Sequence, residues 1–82
     1  MYYVYVLRSE KTGDFYVGST KDLKNRFYQH NSGENKSTIY GRPWVVVYYE
    51  AYLTKALAMS REKRLKHHGK GISEIKKRAG FC

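Results

Sequence analysis

Tyr2-Tyr3-Val4-Tyr5-Val6-Leu7-Arg8 and, one turn later, Tyr16-Val17-Gly18-Ser19-Thr20 decide how this chain folds. An unbroken row of β-branched and aromatic residues favours extended backbone, so residues 2–8 read as a strand. Ser9-Glu10-Lys11-Thr12-Gly13 carries turn chemistry, and residues 14–18 read as a second strand running back antiparallel to the first. Side chains alternate across a strand. Tyr3, Tyr5 and Leu7 therefore share one face, with Tyr2, Val4 and Val6 on the other. In the second strand Phe15 and Val17 oppose Tyr16 and Gly18. Tyr5 and Tyr16 share a face if the register allows it, and the sequence does not fix the register.

A helix is expected next. Thr20 is placed to cap it, Asp22 suits the positive N-terminal end, and Gly33 is a good terminator. Leu23 and Phe27 form its apolar stripe, while Arg26 and His30, also four apart, stack on a flank beside that stripe. Residues 34–43 are polar and read as a loop. Trp44 to Glu50 is nearly continuously apolar, the pattern of a strand central in its sheet. Thr54 suits the cap of a second helix through about Lys66, with Ala58, Leu65 and either Leu57 or Arg61 turned inward. Glu62 falls on the Ala58–Leu65 flank, where a carboxylate needs a partner or a metal. Gly69 and Gly71 are expected to end this helix, and residues 72–79 to add a short third one.

The composition narrows the function. Eighty-two residues suit one small domain, read here as residues 1–82. The lone cysteine, Cys82, forms no internal disulfide and suits a reducing compartment. No apolar run approaches the roughly 20 residues of a membrane span, and no signal peptide is recognisable. A cytoplasmic protein without a membrane partner is expected. Sixteen Lys and Arg against seven Asp and Glu give a formal charge of +9. That excess in so small a chain points to a polyanion, above all nucleic acid. The nine tyrosines can offer stacking surface, although most lie in apolar runs and read as strand or core.

The order Val4-Tyr5-Val6, Tyr16-Val17-Gly18-Ser19-Thr20, Arg26, His30 and finally Glu62 within Arg61-Glu62-Lys63-Arg64-Leu65-Lys66 resembles the GIY-YIG nuclease domain, especially its compact UPF0213-like members. The resemblance implies an α+β fold in the order β-β-α-β-α-α, with a small three-stranded antiparallel sheet flanked by helices. It also implies metal-dependent endonucleolytic hydrolysis of phosphodiester bonds, with DNA favoured over RNA. On this resemblance Tyr5 is the general base, Tyr16 orients water or phosphate, and His30 helps activate the water or relays its proton; the tyrosine roles are interchangeable. Arg26 neutralises charge on the phosphate, and Glu62 holds one Mg²⁺ or Mn²⁺. Gly18 lets the backbone approach the substrate. Tyrosine, with an ordinary pKa of about 10, needs its anion favoured, and Arg26, the metal and the surrounding positive charge are expected to supply that bias. Lys21, Lys24, Lys36, Arg42, Lys66 and Lys70 are assigned to the nucleic-acid backbone, a sequence-independent contact. Specificity then comes from this module or from a protein partner. Some family members carry lysine where this chain has Ser19, and an asparagine after the glutamate helix where this chain has none.

Plainer readings exist for each residue. Tyr5 and Tyr16 suit any strand, Arg26 and His30 a solvated helix face, and Glu62 a pair with Lys66 worth only about 0.2–0.5 kcal/mol. A two-metal site lacks clustered carboxylates. An HNH-type site lacks the further histidine and asparagine, and one cysteine with His67-His68 makes no four-ligand zinc set. The stronger rival is a binding module that keeps the fold without the catalysis. It would not require Tyr5, Tyr16, Arg26 and Glu62 together. Oligomeric state is not legible.

Overall fold

The computed structural model describes residues 1–67, 69–78 and 80, with the side chains of residues 67 and 69–72 excepted. Strands β1 (Tyr2–Ser9) and β2 (Phe15–Thr20) form the expected hairpin, and helix α1 (Leu23–Ser32) follows. A single 3₁₀ turn, Ile39–Gly41, interrupts the loop before β3 (Trp44–Tyr52). Helices α2 (Lys55–His67) and α3 (Gly69–Arg78) complete the α+β order. The sheet is antiparallel with order β2-β1-β3.

The central strand is therefore β1, not the apolar β3. Val4, Tyr5, Val6 and Leu7 are all buried, so β1 is covered on both faces. The apolar run of β3 misleads because tyrosine counts as apolar while its hydroxyl seeks polar company. Tyr49 is 57% exposed, whereas Tyr48 and Tyr52 turn their hydroxyls to Glu50. An extra residue, Val47, bulges β3 opposite Val6 and Leu7.

The sheet faces carry separate cores. Under α2 and α3, Val4, Val6 and Val17 meet Ala58, Leu65 and Ile75. Burial of each large aliphatic side chain here contributes about 1.5–3 kcal/mol of transfer free energy. Under α1, Tyr5, Leu7 and Trp44 pack with Tyr16, Leu23, Phe27 and Val46.

The helix ends differ from expectation in an instructive way. Asp22 rather than Thr20 caps α1, accepting a hydrogen bond from the Asn25 amide at 3.1 Å. Thr20 instead ends the longer β2 and accepts from the Asp22 amide. Gly33 closes α1 in the left-handed region, φ 90°, as its lack of a Cβ permits. Thr54 caps α2 by accepting from the Leu57 amide. Gly69 and Gly71 belong to α3, which starts earlier than the expected residue 72; Ala79, its expected end, lies outside the described residues. No helix among the described residues is long and apolar enough to cross a membrane.

Of the alternatives Leu57 and Arg61, it is Arg61 that turns inward; Leu57 is 54% exposed. The cause is Glu50 on β3, whose Oε1 accepts from Arg61 Nε at 2.9 Å and whose Oε2 accepts from Nη2 at 3.1 Å. The hydroxyls of Tyr48 and Tyr52 donate to the same carboxylate, each at 2.6 Å. Burial pushes the Glu50 carboxyl up, but these donors and the Arg61 charge together hold it down at about 2. Because the folded pKa lies below the ordinary 4.5, Glu50 stabilises the fold above pH 4.5 and loses that contribution as pH falls toward about 2. Glu50→Gln is expected to cost about 1–3 kcal/mol at neutral pH and to flatten the acid limb of the unfolding curve, measured by urea titration at several pH values.

Candidate active site

The register of the hairpin answers what the sequence left open. Tyr5 pairs with Gly18 and Leu7 with Tyr16, so both tyrosines rise from the α1 face of the sheet. A Cβ built on Gly18 would lie 2.6 Å from Cζ of Tyr5. The space above Gly18 is thus occupied by the Tyr5 phenol. The glycine makes room for a side chain of its own protein, so on this face of the sheet the Tyr5 phenol, and not substrate, fills the space above its backbone.

The phenol is directed by α1. Tyr5 Oη lies 2.8 Å from His30 Nε2, and His30 Nδ1 lies 2.8 Å from Thr38 Oγ1. The Thr38 hydroxyl donates onward to the Asn35 carbonyl at 3.3 Å. With that proton committed, Thr38 accepts from Nδ1–H, Nε2 is left as the acceptor, and the Tyr5 hydroxyl donates to it. His30 and Thr38 are fully buried, so His30 belongs to the core rather than to an open flank of the helix. Burial, then the nearby Arg26 charge, lower its pKa below 6.5 and keep the ring neutral.

The surrounding frame holds this chain of hydrogen bonds in place. Trp44 Nε1 donates to the Thr38 carbonyl at 2.7 Å. Asn31 donates to the Trp44 carbonyl at 2.9 Å and accepts from its amide at 2.6 Å, so a side chain of α1 pairs with the first residue of β3. Buried Ser9 donates to the Gly41 carbonyl and accepts from the amides of Lys11 and Thr12, tying the 3₁₀ turn to the hairpin. No buried side-chain polar atom among the described residues lacks a partner.

Tyr16 lies beside the same ring, 4.9 Å from His30 between centroids. Arg26 is exposed and donates to Gln29 Oε1, and its guanidinium is near enough to act on both Tyr5 and His30. Burial of Tyr5, seconded by Tyr16, outweighs Arg26 and raises the phenol to about 12. The expected bias toward the tyrosine anion is therefore reversed in the free protein, because desolvation opposes charge on a buried group.

Glu62 reaches this cluster from α2, around the β2 edge. Ser19 Oγ donates to its Oε1 at 2.5 Å, and Lys66 Nζ lies 2.7 Å from Oε2. Burial pushes the carboxyl up, yet Lys66 and Ser19, with Arg26 behind them, hold it below the usual carboxylate range. It is an ionised, partly buried oxygen donor that already holds a cation, which fits a hard divalent ion. Among the described residues no group of three or more His, Cys, Asp or Glu could share such an ion. Water and phosphate oxygens would complete its shell, the usual habit of Mg²⁺.

Of the residues expected to meet the nucleic-acid backbone, Lys21 and Lys24 flank a groove at the start of α1. Lys36 lines a hollow with Arg26, Gln29, Glu34 and Asn35. Arg42 is exposed and donates to the Ile39 carbonyl. Lys66 is engaged with Glu62, and the side chain of Lys70 lies outside the described residues. Reading the sequence missed Thr38 and Asn31. Their only signal there is that a histidine buried on a helix needs an acceptor and that a Trp-led strand needs an anchor.

The model of the GIY-YIG catalytic domain matches residues 1–76, and the chain belongs to that family, whose members are nucleases. Within it, the chain is similar to UPF0213 proteins. It is 38% identical to one from Staphylococcus saprophyticus over 66 residues, covering 79% of each chain. It is 44% identical to one from Streptococcus pyogenes over 66 residues, covering 78% of this chain and 70% of that one. The solution NMR structure of a UPF0213 protein from Bacillus halodurans superposes with a TM-score of 0.60 at 32% identity, over 98% of this chain and 88% of that one.

Gly18→Ala is expected to push the Tyr5 ring off His30 and to cost about 1–3 kcal/mol, as overpacking does, read from thermal unfolding. Thr38→Val removes the acceptor of His30 Nδ1–H. Nitrogen chemical shifts of His30 should then move from one fixed tautomer toward a mixture, while Thr38→Ser keeps the wild-type pattern.

Proposed function

We propose that this protein is a metal-dependent endonuclease in which the Tyr5–His30 pair takes the proton of an attacking water. The observation that carries the reading is the 2.8 Å contact between the Tyr5 hydroxyl and a buried His30 whose other nitrogen is fixed by Thr38. A phenol at about 12 is a poor base alone at neutral pH. Coupled to a neutral imidazole it can accept the proton of water as its own proton passes to Nε2.

The water oxygen bonds to phosphorus, the P–O bond to the leaving nucleoside breaks, and Arg26 meets the charge that gathers on the phosphoryl oxygens. Tyr16, beside the His30 ring, orients the water or the phosphate. Glu62, supported by Ser19, would hold one Mg²⁺ or Mn²⁺, which supplies Lewis-acid stabilisation of the leaving oxygen when bound. Lys66, paired with Glu62 in the free protein, would with the ion in place be available to the nucleic-acid backbone. DNA is the favoured substrate, and the cytoplasm the expected site of action.

A second reading rests on that same Lys66. Both oxygens of Glu62 are engaged within the protein, as a nucleic-acid-binding module of this fold, free of metal, would have them. In that case Glu62→Ala leaves affinity unchanged or raises it, and cleavage is absent throughout.

The deciding experiment is cleavage of labelled single-stranded, duplex and branched DNA, and of RNA, with Mg²⁺, with Mn²⁺ and with EDTA. The wild type should cut only with metal. Tyr5→Phe, Arg26→Ala and Glu62→Ala should each lose about 10²-fold or more while remaining folded and able to bind. Because His30 must be neutral, the rate should hold from pH 8 to about 6.5 and fall only below His30's lowered pKa. A folded wild type that binds but never cuts with either metal sinks the enzyme reading.

A further inference from the structure

Beside the candidate site, on the α1 face of the sheet, Tyr3 and Tyr49 with Lys21, Asp22, Leu23 and Lys24 line an open groove of about 760 Å³. Its volume is in the range of small-ligand sites. Tyr49 is 57% exposed, although it lies in a strand. Its ring is held edge-on by Tyr3, with centroids 6.1 Å apart and planes at 64°, an arrangement that fixes an aromatic face. The other exposed tyrosines are placed differently. Tyr40 packs edge-on against Trp44 and bonds Asp14, and Tyr28 lies on the outer side of α1.

Two features say what fits this groove. Lys21 and Lys24, at the start of α1, bring positive charge to its lining, while the one acidic lining residue, Asp22, is engaged as the cap of α1. A fixed aromatic face with cations in the same groove suits a planar aromatic group attached to an anion. The groove's place relative to the catalytic pair adds the second constraint. Tyr49 is the direct partner of Tyr5 across β1 and β3, so both side chains leave the same face about 5 Å apart at their bases. The Tyr5 phenol points the other way, over Gly18. The platform thus stands next to the reacting centre without covering it.

We propose that Tyr49, backed by Tyr3, is a stacking platform for one unpaired nucleobase of the strand whose phosphate sits at Arg26 and Tyr5, with Lys21 and Lys24 on the neighbouring phosphates. The inference rests on the nucleic-acid reading above and narrows it. A base inside a duplex is already stacked on its neighbours and cannot present a face, so the site favours single-stranded, frayed or branched nucleic acid.

The test uses the full chain in EDTA, so that binding is read without cleavage. Fluorescence anisotropy follows a labelled oligothymidylate, an abasic strand of equal length and charge, and a duplex. Wild type should prefer the base-bearing strand over the abasic one by about tenfold, the size expected for one stacked base. Tyr49→Ala should abolish that preference by weakening only the base-bearing strand, and Tyr49→Trp should restore it; duplex affinity should be the same for all three proteins. If Tyr49→Ala weakens both strands equally, or neither, the platform is wrong. A wild type that binds both strands alike, with steep salt dependence, overturns the platform and leaves the nucleic-acid reading standing. Failure to bind any of the three probes overturns both.

Discussion

The hydrogen bond from the Tyr5 hydroxyl to His30 is the constraint around which this small protein is arranged. A phenol and an imidazole have been taken into the core of an 82-residue chain, where an unpaired polar group costs about 1–3 kcal/mol. Each must therefore be answered by another group, and the answers propagate. His30 requires Thr38, Thr38 requires the loop to turn at Asn35, and Trp44 and Asn31 pin that turn to the start of β3. Gly18 is the counterpart on β2, the one position where the sheet yields space to the ring. A network of this kind is strongly specifying when every member is satisfied.

Most of the fold was legible because local chemistry and hydrophobic period agree. The hairpin, α1 with its Gly33 stop, and α2 with its Thr54 cap all follow from residues within a few positions of one another. What failed depends on tertiary placement. The run Trp44–Glu50 carries no mark that its tyrosines would turn their hydroxyls toward Glu50 or toward solvent, so an edge strand read as a central one. Thr20 and Asp22 are both good caps, and only the length of β2 chooses between them. The candidate site was legible as a set of residue types, from Tyr5 to Glu62. Its internal order was not, since nothing in the sequence says that the ring of Tyr5 lies over Gly18 or that Thr38 fixes the tautomer of His30.

The electrostatics of the site oppose one another in a useful way. Burial holds Tyr5 protonated and His30 neutral, while donors around Glu62 hold it charged. A neutral Tyr5–His30 pair and an ionised carboxylate thus lie near each other with distinct protonation states at one pH. The separation comes from depth: the aromatic pair is buried beneath α1, while Glu62 is partly buried beside Ser19 and Lys66.

The placement of β1 in the middle of the sheet has a consequence for the growing chain. β1 and β2 can meet within the first twenty residues, yet the other flank of β1 stays unpaired until β3, ending at Tyr52, has been made. Trp44 is the first residue of β3 and also the one that anchors Thr38. An emerging chain therefore carries Tyr5, Tyr16 and His30 long before it can set them. The candidate site is assembled late, in the step that also closes the sheet, so a partly synthesised chain holds these side chains without the hydrogen bonds that position them.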